Sequence, residues 1–131
     1  MAQILHIQEQ HPQTYLIADV VRVVESGGVI VYPTDSGYAL GCRIGDKAAL
    51  ARIRAIRNLG EGHHFTLVCR DLSALSQYAR VNNRVFRLLK AYTPGPYTFI
   101  LQATHDVPRR LQHPRRKTIG LRIPRHNIAL T

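Results

Sequence analysis

The stretch of residues 28–41 constrains the fold most, because an apolar run changes there into a polar turn. Residues 29–32 are β-branched or aromatic, which predicts a buried strand. Pro33 follows and predicts the end of the strand pairing, since proline has no backbone N–H to donate. The strand would therefore deliver Thr34 and its polar neighbours to its carboxyl end.

The turn after this strand has the composition of a ligand site. Crevices beyond the carboxyl ends of strands bind ligands in open α/β sheets. Gly37 and Gly41 would let backbone N–H groups approach such a ligand closely. The same residue types also make ordinary strand-to-loop turns, so the spacing alone leaves both interpretations open.

Helices and strands alternate along the rest of the chain. Apolar residues at helical spacing predict helices over residues 14–26, 46–58, 71–79 and 82–91. The predicted N-caps of the last three are Asp46, Asp71 or Ser73, and Asn82. Further strands are predicted over residues 65–69, 97–103 and 118–123. This order predicts an α/β fold, and 131 residues with 45% hydrophobic composition predict one domain.

Cysteine use and hydropathy favour a soluble, cytoplasmic protein. The two cysteines, Cys42 and Cys69, come without a secretory leader, and no apolar run approaches the length of a membrane span. Cys69 follows an apolar strand and is interpreted as a buried small hydrophobe rather than a nucleophile.

The sequence favours neither a metal site nor a standard nucleotide-binding glycine loop. The seven histidines are scattered, and the adjacent His63 and His64 would point to opposite faces of an extended segment. No P-loop or Rossmann glycine pattern occurs. We therefore assign no metal ligand and no catalytic residue from motifs of these kinds.

The net charge of +10 lies in the second part of the chain. Residues 1–71 carry seven lysines and arginines against seven acids, whereas residues 72–131 carry eleven against the single acid Asp106. Such an asymmetry indicates a surface that meets a polyanion, and the absence of a basic amphipathic helix with a broad apolar face favours nucleic acid over membrane.

A basic segment supplies the candidate RNA-binding residues. They are Arg109, Arg110, Arg115, Arg116, Lys117 and Arg125, with further cations over residues 80–90. Few aromatic residues are interleaved for stacking on splayed bases, which favours recognition of a duplex by its shape and backbone. A solvated charged surface is the alternative interpretation, and the scarcity of acids favours phosphate binding over it.

Four ordered motifs resemble the YrdC-like family, and most closely its YciO branch. Residues 32–42 read Tyr-Pro-Thr-Asp-Ser-Gly-Tyr-Ala-Leu-Gly-Cys, similar to the family's Tyr-Pro-Thr-Glu-Thr-Val-Tyr-Gly-Leu-Gly-Cys. Residues 63–67, 93–101 and 118–124 are similar to the family's second strand, its Pro-Gly-Pro strand and its Thr-Val-Gly-Val-Arg-Val-Pro strand. Each motif alone is a common loop sequence, but four of them in the same order are specific to the family.

The resemblance implies a twisted mixed sheet with flanking helices and a concave basic face. In the synthase branch of the family, threonine, bicarbonate and ATP give threonylcarbamoyl-adenylate for the modification of transfer RNA. By resemblance, ATP, with Mg as its counterion, and threonine are candidate ligands. The nucleotide- and substrate-binding residues that the resemblance implies are Thr34, Tyr38, Arg57, Thr98, Thr118 and Arg122. A capped loop, a core aromatic or a solvated charge is the alternative interpretation of these residues.

Two departures from the family pattern bear on catalysis. The family's Lys-x-Arg pair reads Arg57-x-Leu59 here, which keeps one cation and loses one donor. The family's later Ser-x-Asn element has no counterpart before Thr131, so we expect a carboxyl-terminally incomplete domain, either truncated or completed by another chain. The leading hypothesis is therefore binding of double-stranded or folded RNA such as transfer RNA, and the alternative is an enzyme related to threonylcarbamoyl-adenylate synthase.

Overall fold

The computed structural model describes residues 3–58 and 65–130. Leu59, His63, His64 and Thr131 lie outside the described residues. The chain divides into two compact units, Met1–Glu61 with His126–Thr131, and Gly62–Arg125. The expectation that both form one domain stays a prediction.

Helices and strands follow one another in the order that defines an α/β protein. The described elements are α1 (Thr14–Glu25), β1 (Ile30–Thr34), β2 (Gly37–Gly41), α2 (Lys47–Arg57), β3 (Thr66–Val68), α3 (Leu72–Tyr78), α4 (Asn83–Tyr92), β4 (Phe99–Gln102), a 3₁₀ helix (Arg109–Leu111), β5 (Thr118–Arg122) and α5 (Asn127–Leu130). The predicted α/β class with a mixed sheet is confirmed.

Side-chain caps begin three of the helices as the sequence predicts. Asp46 accepts a hydrogen bond from the Ala49 N–H at 2.9 Å, which starts α2. Asp71 rather than Ser73 does the same for α3, and Asn82 for α4. Each cap satisfies a backbone N–H that the first turn of a helix leaves without a partner.

The first unit contains a β-hairpin where the sequence predicts a single strand and a loop. β1 and β2 pair antiparallel from Ile30 opposite Gly41 to Thr34 opposite Gly37. The predicted strand end at Pro33 is wrong, because Pro33 lies within β1 opposite Tyr38. Among the described strands, β1 has one partner in its sheet, so a residue without an N–H is tolerated where that group would face away from the partner.

The second unit contains a three-stranded mixed sheet with β5 at its centre. β3 pairs parallel with β5, and β4 pairs antiparallel with it. One face of β5 is buried through Ile119 and Leu121, the latter fully. Other buried apolar residues of this unit include Leu75, Leu89, Val107 and Leu111, so the core lies on this side of the sheet.

Within residues 3–58 and 65–130, no helix is both long enough and apolar enough to span a membrane.

Candidate nucleic-acid interface and sheet-face site

Thr34 holds the tip of the β1–β2 hairpin. Its hydroxyl donates to the Gly37 carbonyl at 2.7 Å and accepts the Ser36 N–H at 3.2 Å. A hydroxyl has a single proton to donate, and the Gly37 carbonyl already takes it. The Ser36 hydroxyl also lies 3.3 Å from the Thr34 hydroxyl, so the hydrogen bonds of Thr34 are made within the turn and shape it.

The two glycines of this hairpin have structural roles within it. A methyl group placed on Gly41 would lie 2.8 Å from the Tyr32 ring, so the glycine is required by packing within the hairpin. Gly37, at φ +133°, has open space around it and serves the turn backbone. Tyr38, by contrast, is 80% exposed, which makes its phenol accessible to a ligand.

Arg57 lies in the last turn of α2 and is exposed. Asn58 caps this helix in the left-handed conformation, at φ 53°. A cation in a last turn is favoured by the partial negative charge of the helix carboxyl end, so the position also has a structural explanation. Leu59, the second member of the altered pair, lies outside the described residues.

Thr98, Thr118 and Arg122 share the open face of the three-stranded sheet. Thr118 and Arg122 alternate along β5 with the buried Ile119 and Leu121, so they project from the opposite face. Thr98 is on the same face, because its methyl carbon would lie 3.2 Å from a methyl group placed on Gly120. The structure thus brings these three predicted residues onto one surface.

Gly120 is closely approached on this face by threonine side chains, a feature that the sequence analysis did not single out. A methyl group there would also lie 3.2 Å from the Thr66 hydroxyl oxygen. Threonine side chains from both neighbouring segments therefore crowd Gly120, with Arg122 two residues along the strand. The signal for this arrangement was the Thr-x-Gly-x-Arg alternation, which places all three residues on one side. Threonine hydroxyls and a guanidinium on one face suit an anionic group.

The basic segment is a structured loop rather than an extended arm. Val107 and Leu111 anchor it in the core, at 1% and 5% exposure. The Gln112 side-chain amide donates to the Val107 carbonyl at 2.9 Å. At the end of the loop, the His113 N–H donates to the Thr118 carbonyl at 2.9 Å, which joins the loop to the start of β5. The loop backbone is thus fixed at both ends.

The cations of this loop point to solvent. Arg109, Arg110, Arg115, Arg116 and Lys117 are all exposed. Asp106, the acid nearest to them in sequence, pairs with His105 at 3.5 Å. Among the residues that the structure describes, Arg115, Arg116 and Lys117 make no ion pair. Their field is therefore available to an external anion.

Arg125 differs from the other predicted RNA-binding residues because it has a structural role. Its guanidinium donates to the Pro94 carbonyl from Nη2 at 3.2 Å and from Nε at 3.4 Å. The Gly95 N–H nearby donates to the Ile123 carbonyl at 2.8 Å. These bonds hold the turn after α4 against the end of β5.

Neither cysteine has the environment of a nucleophile. Burial, reinforced by Asp71, raises the pKa of the Cys69 thiol to about 11. Burial, reinforced by Asp46, also raises the pKa of Cys42. A thiol is reactive as its thiolate, so both are weakly reactive at neutral pH. Within the described ranges, no group of three or more histidine, cysteine, aspartate or glutamate side chains is placed to hold a metal ion.

Comparison with known proteins places this architecture in a family. A family model described as "Telomere recombination", which covers the Sua5, YciO and YrdC proteins, matches residues 22–131. The YciO protein of Escherichia coli is 59% identical over 98% of this chain. Its crystal structure superposes with a TM-score of 0.93 over 99% of this chain at 58% identity. The chain spans 63% of the length of this relative.

More distant relatives carry functional names. The threonylcarbamoyl-AMP synthase of Nitrosococcus oceani is 35% identical over 82% of this chain and 58% of its own length. A P. abyssi Sua5 structure complexed with L-threonine has a TM-score of 0.82 at 25% identity, over 92% of this chain and 35% of that one. On the family match and these identities, the chain belongs to the Sua5, YciO and YrdC family.

Proposed function

We propose that this protein binds double-stranded or folded RNA, such as transfer RNA, through the basic loop of residues 108–117. The observation that supports this most is that Arg115, Arg116 and Lys117 are exposed on a fixed loop and make no ion pair with the rest of the described chain. Arg109 and Arg110 extend the same charged surface along the 3₁₀ helix.

Phosphate is the ligand that this arrangement suits. Cations that neutralise phosphates release condensed counterions, and this release supplies most of the affinity of sequence-independent binding. A loop whose backbone is already held loses little conformational freedom on binding. The exposed residues of the loop include no aromatic side chain, so contacts to the backbone of a duplex are favoured over stacking on single-stranded bases.

The direct test is the affinity of the protein for duplex RNA as a function of salt concentration. We expect weak sequence dependence and a logarithm of the affinity that falls linearly with the logarithm of salt, at about 0.9 per phosphate contact. Single-stranded RNA of the same length should bind less tightly. No detectable affinity for a duplex at low salt would refute the proposal.

The open sheet face supports a second candidate function, the binding of an adenine nucleotide or a carboxylate amino acid. Thr98, Thr118 and Arg122 lie together on that face around Gly120. Two relatives point the same way, since one is named a threonylcarbamoyl-AMP synthase and another was crystallised with L-threonine. ATP would enter with Mg as its counterion, and the catalytic outcome would be a step in the modification of transfer RNA.

Calorimetry with ATP and with threonine separately tests this second function. Removing a guanidinium that clamps an anion costs about 1.5–3 kcal/mol, so Arg122→Ala should weaken binding at least about tenfold. Arg84→Ala, which removes an exposed cation from α4 of the same unit, is the matched control and should bind like the parent. Arg57→Ala tests the corresponding prediction for α2. Equal affinity in the parent and the Arg122 variant would remove this residue from the site.

A further inference from the structure

His113 occupies an unusual position at the start of the turn that carries three of the cations. Its Nδ1 accepts the backbone N–H of Arg115 at 3.2 Å and of Arg116 at 3.1 Å. The Lys117 N–H donates to the His113 carbonyl at 2.8 Å. These are the bonds of a single helical turn in which His113 is the N-cap.

The neighbouring residues complete this turn. Pro114 stands at the first helical position, where the missing N–H costs nothing. Lys117 ends the turn in the left-handed conformation, at φ 54°. The side chains of Arg115, Arg116 and Lys117 thus leave a backbone that the His113 ring holds in place.

We propose that His113 is the positioning residue of the basic turn, and that its two side-chain bonds to the turn exist only while Nδ1 is unprotonated. An imidazole nitrogen accepts a hydrogen bond only through its lone pair, which fixes the tautomer with the proton on Nε2. Protonation turns Nδ1 into a donor that faces two backbone N–H groups. Both bonds are then lost.

The turn that His113 caps lies among several cations of the same loop. The turn itself carries Arg115, Arg116 and Lys117, and the 3₁₀ helix before it carries Arg109 and Arg110. β5 begins with the uncharged Thr118. Asp106 pairs with His105. Protonation would therefore add a positive charge to a turn that already carries three cations, at the same time as the turn loses its cap.

The expected effect on RNA affinity rests on the proposed function. Its direction is opposite to the effect that added positive charge alone would have. Adding a positive charge to a basic surface by itself strengthens binding to phosphate as pH falls. Loss of the cap acts in the opposite direction. Because protonation of Nδ1 removes both bonds of the cap, the apparent affinity should fall between pH 8 and pH 5.5 toward that of a protein without the cap.

The experiment compares duplex RNA affinity across this pH range in three proteins. The parent should lose affinity as pH falls. His113→Asn keeps a side-chain acceptor suited to an N-cap but does not titrate, so its affinity should match the parent at pH 8 and should not fall. His113→Leu should bind at least about threefold more weakly than the parent at pH 8 and should show no loss on acidification.

Nuclear magnetic resonance of the protein without RNA separates this inference from the proposed function. We expect the imidazole proton on Nε2 at pH 8, and slowed exchange of the Arg115 and Arg116 amides that disappears as His113 is protonated. If these signals behave as expected while RNA does not bind, the proposed function fails and the positioning role of His113 stands. A parent whose affinity rises on acidification in parallel with the Asn variant, or whose two amides exchange equally fast at both pH values, would overturn the inference.

Discussion

Reversing the charge of the basic turn is the sharpest perturbation of the proposed interface. The variant Arg115→Glu, Arg116→Glu, Lys117→Glu replaces three exposed cations that make no ion pair within residues 65–130. Their side chains leave the backbone where it faces solvent, so the folded state loses no internal contact. We therefore expect a change in binding with little change in the free energy of unfolding.

The magnitude follows from the number of phosphates that the turn can neutralise. If each of the three side chains contacts one phosphate, the slope of log affinity against log salt becomes shallower by about 2.7 in the variant. Between about 50 and about 200 mM salt, each contact accounts for a loss of about 3.5-fold. Over that interval the parent should therefore lose about 40-fold more affinity than the variant.

The assay is fluorescence anisotropy of a labelled duplex RNA at several salt concentrations. The matched control is the variant Arg43→Glu, Lys47→Glu, Arg52→Glu, which changes the net charge equally at exposed positions of the first unit. We expect the control to keep the slope of the parent. Equal slopes in the parent and the turn variant, or the same loss in the control variant, would refute binding through this loop.

Three further predictions concern the stability of the fold. Leu121→Ala should lower the free energy of unfolding in denaturant titrations by about 2–5 kcal/mol, because Leu121 is fully buried. The control is Ile100→Ala on the paired strand, where the side chain is 74% exposed; it should change the free energy of unfolding by less than about 1 kcal/mol. Asp46→Ala should lower it by about 1 kcal/mol through loss of the α2 cap, and Asp46→Asn should restore it. The raised pKa of Cys69, about 11, keeps the thiol protonated in the folded state, so its contribution is complete below about pH 9 and is lost as pH rises toward 11. The parent should therefore lose stability more steeply than Cys69→Ala over that range, and parallel pH curves would contradict this account.

The helices could be predicted because their signals are local. A helix and its N-cap form hydrogen bonds between residues three or four apart, so the capping residue and the apolar spacing lie together in the sequence. Asp46, Asp71 and Asn82 therefore begin their helices where the sequence places them. The choice of Asp71 over Ser73 was left open by the sequence, since both residue types cap helices well.

The β-hairpin could not be predicted in the same way. Glycine and proline are depleted in strands, so residues 33–41 have the composition of a loop. The pairing of Pro33 with Tyr38 and the packing of Tyr32 over Gly41 supply what strand propensity lacks. Whether an extended segment finds a partner strand is decided by pairing, and composition does not record it.

The candidate surfaces were also determined partly by the sequence and partly by the tertiary structure. The sequence alone determined the charge asymmetry, the family motifs and the alternation that places Thr118 and Arg122 on one side of a strand. Only the tertiary structure decided that Thr98 meets that face across Gly120, and that the basic segment is a loop anchored by buried side chains. It also decided that a histidine, which is not among the usual N-cap residues, caps the basic turn. The physical reason is that charge and alternation are properties of neighbouring residues, whereas strand register and burial depend on contacts between segments far apart in the chain.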